Sequence, residues 1–405
     1  MERNALRRAA VSQAAVIVAE FFGTCLWFSA TAVSPEIAAS LGRPAGEPLD
    51  LSSAVQIGFV TGTLLLGLSG LADRFRASRI FALSALFGAA ANAAIAMIPM
   101  TLEPILICRF ATGMALAGIY PIGMKLVVSW NPGSAGRVLS WLVAMLTLGT
   151  AFPHLIRYLD SGYEWHSTMI IASLLACAAA LIVLVIGDGP AMQCGRRLRI
   201  DIPAAINAFK RPKLGAAALG YLGHMWELYA FWSLVPLLVV AAAPHDSPPT
   251  SLLAFLIIAT GTLSSIIGGF ISKKAGSRVI ALIALSGSAM ACAVVPLIHD
   301  GPILLLVLFL WGLFVIPDSP QLSSLAVGAC ESDQVASTLA LLNGTGFLLT
   351  VVSNKLSLAC WSSIGPAVAW LLLPGPVIGF VALMFFENVR KPYPQSQRVG
   401  RRTFS

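Results

Sequence analysis

The sequence predicts an all-α integral membrane protein whose twelve transmembrane helices form two pseudo-symmetric six-helix bundles. Hydropathy is the first reason. Of the 405 residues, 57% are hydrophobic and 11% charged, and the mean hydropathy is +0.84. So few charged groups could not keep that much apolar surface in water. The second reason is grouping: the apolar residues fall into runs of about 20, the length of helix that crosses the hydrocarbon core. The third is internal repetition, because the second set of six runs echoes the first at a constant spacing.

In chain order the predicted spans are 13–38, 51–72, 79–99, 104–128, 138–158, 167–187, 214–240, 251–271, 279–298, 303–327, 336–356 and 367–386. Span one follows a basic segment and is longer than a typical signal-peptide core, so it is expected to be a retained signal anchor. With the N-terminus inside, 21 of the 26 Lys and Arg fall in cytoplasmic segments, among them Arg74, Arg76, Arg79, Lys273, Lys274 and Arg278. The positive-inside rule then sets both termini in the cytoplasm. The net charge of +8 is topological by this reading, and no nucleic-acid partner is expected. The seven cysteines are odd in number, scattered and without a Cys-x-x-Cys pair. They suggest neither a disulfide framework nor a zinc site.

The longest hydrophilic stretch, 188–213, separates the sixth and seventh spans. The expected organisation is a bundle over 1–187, a cytoplasmic linker over 188–213, a second bundle over 214–386 and a basic tail over 387–405. An offset of 199 pairs Trp27 with Trp226, Gly70 with Gly269, Arg74 with Lys273, Arg79 with Arg278, Gly113 with Gly312 and Pro121 with Pro320. Each pair falls on equivalent spans or loops. A six-plus-six duplication of this kind is the layout of many secondary transporters.

The loop after span two, GLADRFRASR (70–79), resembles the Asp-Arg loop signature of the major facilitator superfamily, and GFISKKAGSR (269–278) resembles a weaker copy. RFATGMALAGIYPIGMK (109–125) is similar to that superfamily's span-four pattern of an Arg followed by spaced glycines. AGIYPIGMK, GHMWELY and DSPQLSS resemble a bacterial permease branch of poorly defined substrate. The chain departs from the pattern at Ser69 and Arg76, where the loop signature has glycines, and lacks the Gly-Pro of exporters in span five. The resemblance implies that spans one, four, seven and ten line a central path. It also implies that Asp73, Arg74 and Arg79 form a conformational latch against the other half; the alternative is a solvated turn that enforces topology.

A charge near the bilayer centre costs about 2.5–3.5 kcal/mol on insertion scales, so it is usually paired or faces a water-filled cavity. Mid-span ionisable residues here are Glu20, Arg109, Lys125, His224, Glu227 and Asp318, all on spans one, four, seven and ten. His224 and Glu227 lie three apart and share a helix face. A mid-span carboxyl is pushed toward its neutral form by desolvation and toward its charged form by a nearby cation, which suits it to take up and release a proton. Glu227, Asp318, Glu20 and His224 are therefore the proton-coupling candidates. For His224, the bland reading is a hydrogen bond that merely holds span seven. Asp318 sits between Pro317 and Pro320, which interrupt the helix; its alternative role is to cap the exposed backbone. Arg109 cannot readily neutralise itself and is expected to pair with Glu20 or to meet an anionic solute. Lys125 either joins it or snorkels to the membrane surface. Tyr120, Asn343 and Trp27 are candidates for shaping the cavity, with packing as the alternative for each. His-x-x-Glu supplies two metal ligands and no third is apparent, so no metal and no cofactor are expected.

The expected function is movement of a small solute by alternating access, coupled to protons, in a monomer within the lipid bilayer. Arg109 and Lys125 motivate an anionic solute. The rivals are a proton-driven exporter of drugs or metabolites and, in another class, a non-transporting sensor or membrane-embedded enzyme. No nucleophile–base constellation supports the last, and no enzymatic activity is expected.

Overall fold

The computed structural model describes residues 2–44, 49–99, 101–160, 164–192, 206–243, 249–330 and 335–385. Residues 193–205 of the expected linker and the whole basic tail lie outside the described residues. Cys194 lies outside them too; the other six cysteines are free thiols.

Among the described residues, ten helical stretches are long and apolar enough to cross a membrane, and Leu51–Gly67 is apolar but shorter. One of the ten, Thr338–Phe385, has 48 residues, whereas about 20 suffice for a crossing. It divides at Gly365, whose φ of 52° no helix interior adopts. Counted as two, with Leu51–Ser69 as span two, the described helices make twelve crossings. Span eleven runs over Val335–Ile364, longer than predicted. Span twelve starts as a 3₁₀ turn at Gly365–Val368, continues through Ala369–Leu372 and becomes regular over Pro374–Phe385. Pro366, Pro374 and Pro376 account for this broken start, since each removes a backbone donor.

The repeat is legible in the packing. Span four breaks between Leu102–Ala117 and Tyr120–Trp130, and span ten between Gly301–Phe314 and Ser319–Ala329. The offset-paired Pro121 and Pro320 each open the second segment, where a missing N–H costs nothing. Gly113 brings span four onto the backbone of span two: a Cβ there would fall on the Val55 carbonyl. Gly312 does the same for span ten on span eight, against the Ile257 carbonyl.

The Gly70–Gly269 correspondence does not survive. Gly70 ends span two in a left-handed conformation, φ 66°, and a four-residue helix, Leu71–Arg74, follows. Span eight instead runs unbroken through Gly269 to Ala275, and Gly276, φ 87°, is its terminator. The two loops therefore have different geometry.

Large apolar side chains on the outer faces of spans three, six and nine, such as Leu83, Leu181 and Met290, are exposed, as lipid contact requires. Between the halves, Gly261 and Gly269 of span eight lie against Thr147 and Ser140 of span five. Spans two and eleven meet at the bundle end that carries the loop between spans one and two. There the Asn354 amide donates to Ser53 Oγ at 3.2 Å, and Lys355 Nζ lies 3.6 Å from Asp50.

Candidate functional site

A cavity of about 70 Å³ lies between the halves. Its wall is built from spans four, five, seven, ten and eleven, and includes Tyr120, Tyr221, His224, Tyr229, Asn343 and Phe347. Toward the end where spans two and eleven meet, it is roofed by a ring cluster. Trp27 lies 4.9 Å from Phe59 and 5.2 Å from Tyr229, and Phe59 lies 4.3 Å from Phe347. Spans one, two, seven and eleven thus interlock through aromatic contacts, each worth about 0.5–1.5 kcal/mol beyond its buried area. Trp226, the offset partner of Trp27, turns elsewhere and donates from Nε1 to the Leu371 carbonyl at 2.8 Å, satisfying the broken start of span twelve.

Of the mid-span charges, His224 reaches the cavity wall. Its Nδ1 lies 2.9 Å from Asp318 Oδ1, so the pair bridges spans seven and ten. Asp318 opens the second segment of span ten without a side-chain capping bond. The alternative of a backbone cap therefore gives way to the contact with His224. His224 and Glu227 share a face in sequence but serve different partners.

Glu227 is buried and absent from the cavity wall. Its Oε1 accepts from Ser288 Oγ, from Trp311 Nε1 at 2.5 Å and from Cys292 Sγ at 3.4 Å. The acid is thus built into the interior of the second half, among spans seven, nine and ten. The expectation that it faces a water-filled path is not met in this structure.

The expected Glu20–Arg109 pair is also absent. Arg109 Nη1 donates to the Leu26 carbonyl at 3.1 Å, Ser29 Oγ at 3.2 Å and Asn92 Oδ1 at 3.0 Å, and Nη2 donates to the Trp27 carbonyl at 2.5 Å. Asn92 is itself held by Ser29, the Met169 carbonyl and Ser173. The physical reason is axial: the Leu26–Ser29 level lies about 9–13 Å along span one from Glu20 at 1.5 Å per residue. Glu20 faces Gly123 of span four, and neither of its oxygens has a hydrogen-bond partner among the described residues. Lys125 Nζ donates to the Ala72 carbonyl at 2.7 Å. Neither basic residue of span four is on the cavity wall, so the observation that motivated an anionic solute falls away.

The loop between spans two and three is tied within its own half. Asp188 Oδ1 accepts from the Ser78 backbone N–H at 2.8 Å, and Arg76 Nε lies 3.7 Å from Asp188 Oδ2. Gly189 N donates to Ser129 Oγ at 3.1 Å, so the first linker residues dock on the first half. Arg74 and Arg79 are exposed, and the Asp73 side chain lies outside the described residues. Among the described residues, no group of three or more His, Cys, Asp or Glu is placed to hold a metal ion.

Sequence reading missed the partners rather than the charges. Asn92 stands out as a lone amide in AAANAAIA and was findable by extending the survey to uncharged polar residues. Ser288, Cys292 and Trp311 carried no such signal, nor did Phe59, Tyr229 and Phe347, which roof the cavity together with the candidate Trp27.

These features define a multi-pass helical membrane protein built as two six-helix repeats around a cavity between them. The chain belongs to the Major Facilitator Superfamily, whose family model matches residues 16–354. It is similar to the niacin transporter NiaP of Acinetobacter baylyi, at 33% identity over 149 residues, covering 34% of this chain and 31% of that protein. It is also similar to a putative niacin/nicotinamide transporter of Bacillus subtilis, at 29% identity over 35% of each chain. The chain thus matches about a third of the length of these curated relatives. A crystal structure of a point mutant of the nucleoside transporter NupG superposes with a TM-score of 0.68 at 16% identity, covering 93% of this chain and 99% of that one, a likeness of fold.

Proposed function

We propose that this protein is a secondary transporter that moves a small solute across a bacterial cytoplasmic membrane by alternating access, coupled to protons, with both termini cytoplasmic. Its units are the bundles 1–187 and 214–386, joined by the linker 188–213 and followed by the tail 387–405. The observation that carries the reading is the His224–Asp318 contact at the wall of a cavity between the two halves. A histidine touching both a carboxyl and the solute space can exchange a proton when the cavity is wet and hold it against Asp318 when the cavity is shut. Glu20, buried without a hydrogen-bond donor, is a second proton site, because an isolated ionised carboxylate away from water is costly. Glu227 serves structure first, with its three donors.

The interlocked rings and the Asn354–Ser53 bond close the end bearing the loop between spans one and two. By the positive-inside assignment this end is external. Asp73, Arg74 and Arg79 act as the conformational latch, on a loop that Asp188 ties to the first half through Ser78 and Arg76.

The test is solute-dependent proton movement in proteoliposomes, with a panel that starts from niacin and nicotinamide, the solutes in the relatives' names. Asp318→Asn and His224→Gln should lose proton movement at least tenfold while solute exchange persists. Unchanged proton movement in Asp318→Asn would sink the coupling assignment, and no flux with any solute would sink transport.

A further inference from the structure

We propose that the cavity selects a single planar aromatic or heteroaromatic ring carrying an uncharged hydrogen-bonding substituent. This rests on the transport reading, whose solute it specifies. Rings stand on both sides of the space: Tyr120 comes from the first half, while Tyr221 and Tyr229 of span seven and Phe347 of span eleven come from the second. Ring faces prefer offset or edge-on ring partners to saturated groups of equal size. A flat solute can therefore bridge the two halves through their rings, and a puckered one cannot match both walls.

The size is set by the volume. About 70 Å³ stands against the roughly 10–15 Å³ that one water requires. That is room for one substituted ring and too little for a ring bearing a sugar.

The charge preference follows from where the cations went. Arg109 directs both Nη groups to the Leu26 and Trp27 carbonyls, Ser29 and Asn92, away from the cavity wall, and Lys125 reaches the Ala72 carbonyl. His224 is the ionisable group on the wall that gains positive charge, and it faces Asp318, which balances it. A solute carboxylate would thus enter without a cation of its own. The Asn343 amide and the Ser319 hydroxyl on the wall offer donors and acceptors instead, the complement of a carboxamide.

The experiment is equilibrium binding of radiolabelled nicotinamide to the full chain in lipid nanodiscs, with competition by benzamide, benzoate and cyclohexanecarboxamide. The last keeps the substituent and the bulk but not the planar ring. Benzamide should compete at a roughly tenfold lower concentration than cyclohexanecarboxamide, the scale of one or two ring contacts. Tyr120→Leu and Tyr221→Leu should each shrink that ratio, and Tyr120→Phe and Tyr221→Phe should keep it. Because the ratio is read on the wild type, variants that fail to fold do not rescue the idea. Equal competition by the saturated amide, tighter competition by benzoate than by benzamide, or no ring binding at all would each overturn it. Ring-selective binding without flux in proteoliposomes would uphold it and remove the transport reading. Flux of a non-aromatic solute without ring-selective binding would do the reverse.

Discussion

The two halves bury opposite charges in the same place. At the offset of 199, Phe28 and Ser29 stand opposite Glu227 and Leu228, Asn92 opposite Ala291, and Arg109 opposite Leu308. Spans one, three and four of the first half enclose Arg109 with Ser29 and Asn92. Spans seven, nine and ten of the second enclose Glu227 with Ser288, Cys292 and Trp311. In each half the hydrogen bonds to the charge come from that half alone. The lesson is that a charged residue on a path-lining span need not face the path. His224, which meets Asp318 at the break in span ten, lies on the cavity wall; Arg109 and Glu227, held deeper within their own bundles, do not.

Breaking the first-half cluster should have the largest effect. Arg109→Leu takes one donor from each of the Leu26 and Trp27 carbonyls, Ser29 and Asn92, and should destabilise the folded protein by about 3–5 kcal/mol, since each buried acceptor that loses its partner costs about 1–3 kcal/mol. Arg109→Lys should recover little of this, because an ammonium cannot reproduce the planar fork. Thermal unfolding in detergent, followed by size-exclusion, measures both. Wild-type stability in Arg109→Leu would show that the network is dispensable.

Next come the paired glycines. Gly113→Val and Gly312→Val each drive a side chain into the backbone of a neighbouring span and should each cost about 1–3 kcal/mol or more. Similar losses on the two sides, measured in the same assay, would sharpen the repeat, and a loss confined to one half would break it.

The second-half cluster should be softer. Glu227→Gln keeps a carbonyl oxygen to accept from Trp311 and Ser288, and should cost about 1–2 kcal/mol while retaining proton-coupled flux. Glu227→Leu leaves both donors unpaired and should cost about 2–4 kcal/mol. If Glu227→Gln abolished coupling at wild-type stability, Glu227 rather than His224 and Asp318 would be the exchanging group.

The smallest effect belongs to the seam between the halves. Asn354→Ala removes one hydrogen bond to Ser53, worth about 0.5–1.5 kcal/mol. It should raise the population open at that end up to about tenfold, read as labelling of a cysteine introduced at the buried Ser357, one turn along span eleven. Lys355→Ala, which removes an exposed pair with Asp50, should change labelling by about twofold or less.

The sequence by itself determined the membrane-spanning helical class, the duplication and the spans that carry charge. These follow from run length, hydropathy and spacing, which are one-dimensional and survive without partners. Pro121, Pro320, Gly113 and Gly312 belong here too, since their effects lie in the backbone they sit on. Tertiary structure alone decided which charge meets which partner. A side chain's direction depends on helix rotation and on level along the axis, and span one puts Leu26–Ser29, not Glu20, at the height of Arg109. The same holds for the rings of the cavity. Trp27, Phe59, Tyr229 and Phe347 come from four spans distant in sequence, and only the packing of the two halves brings them together.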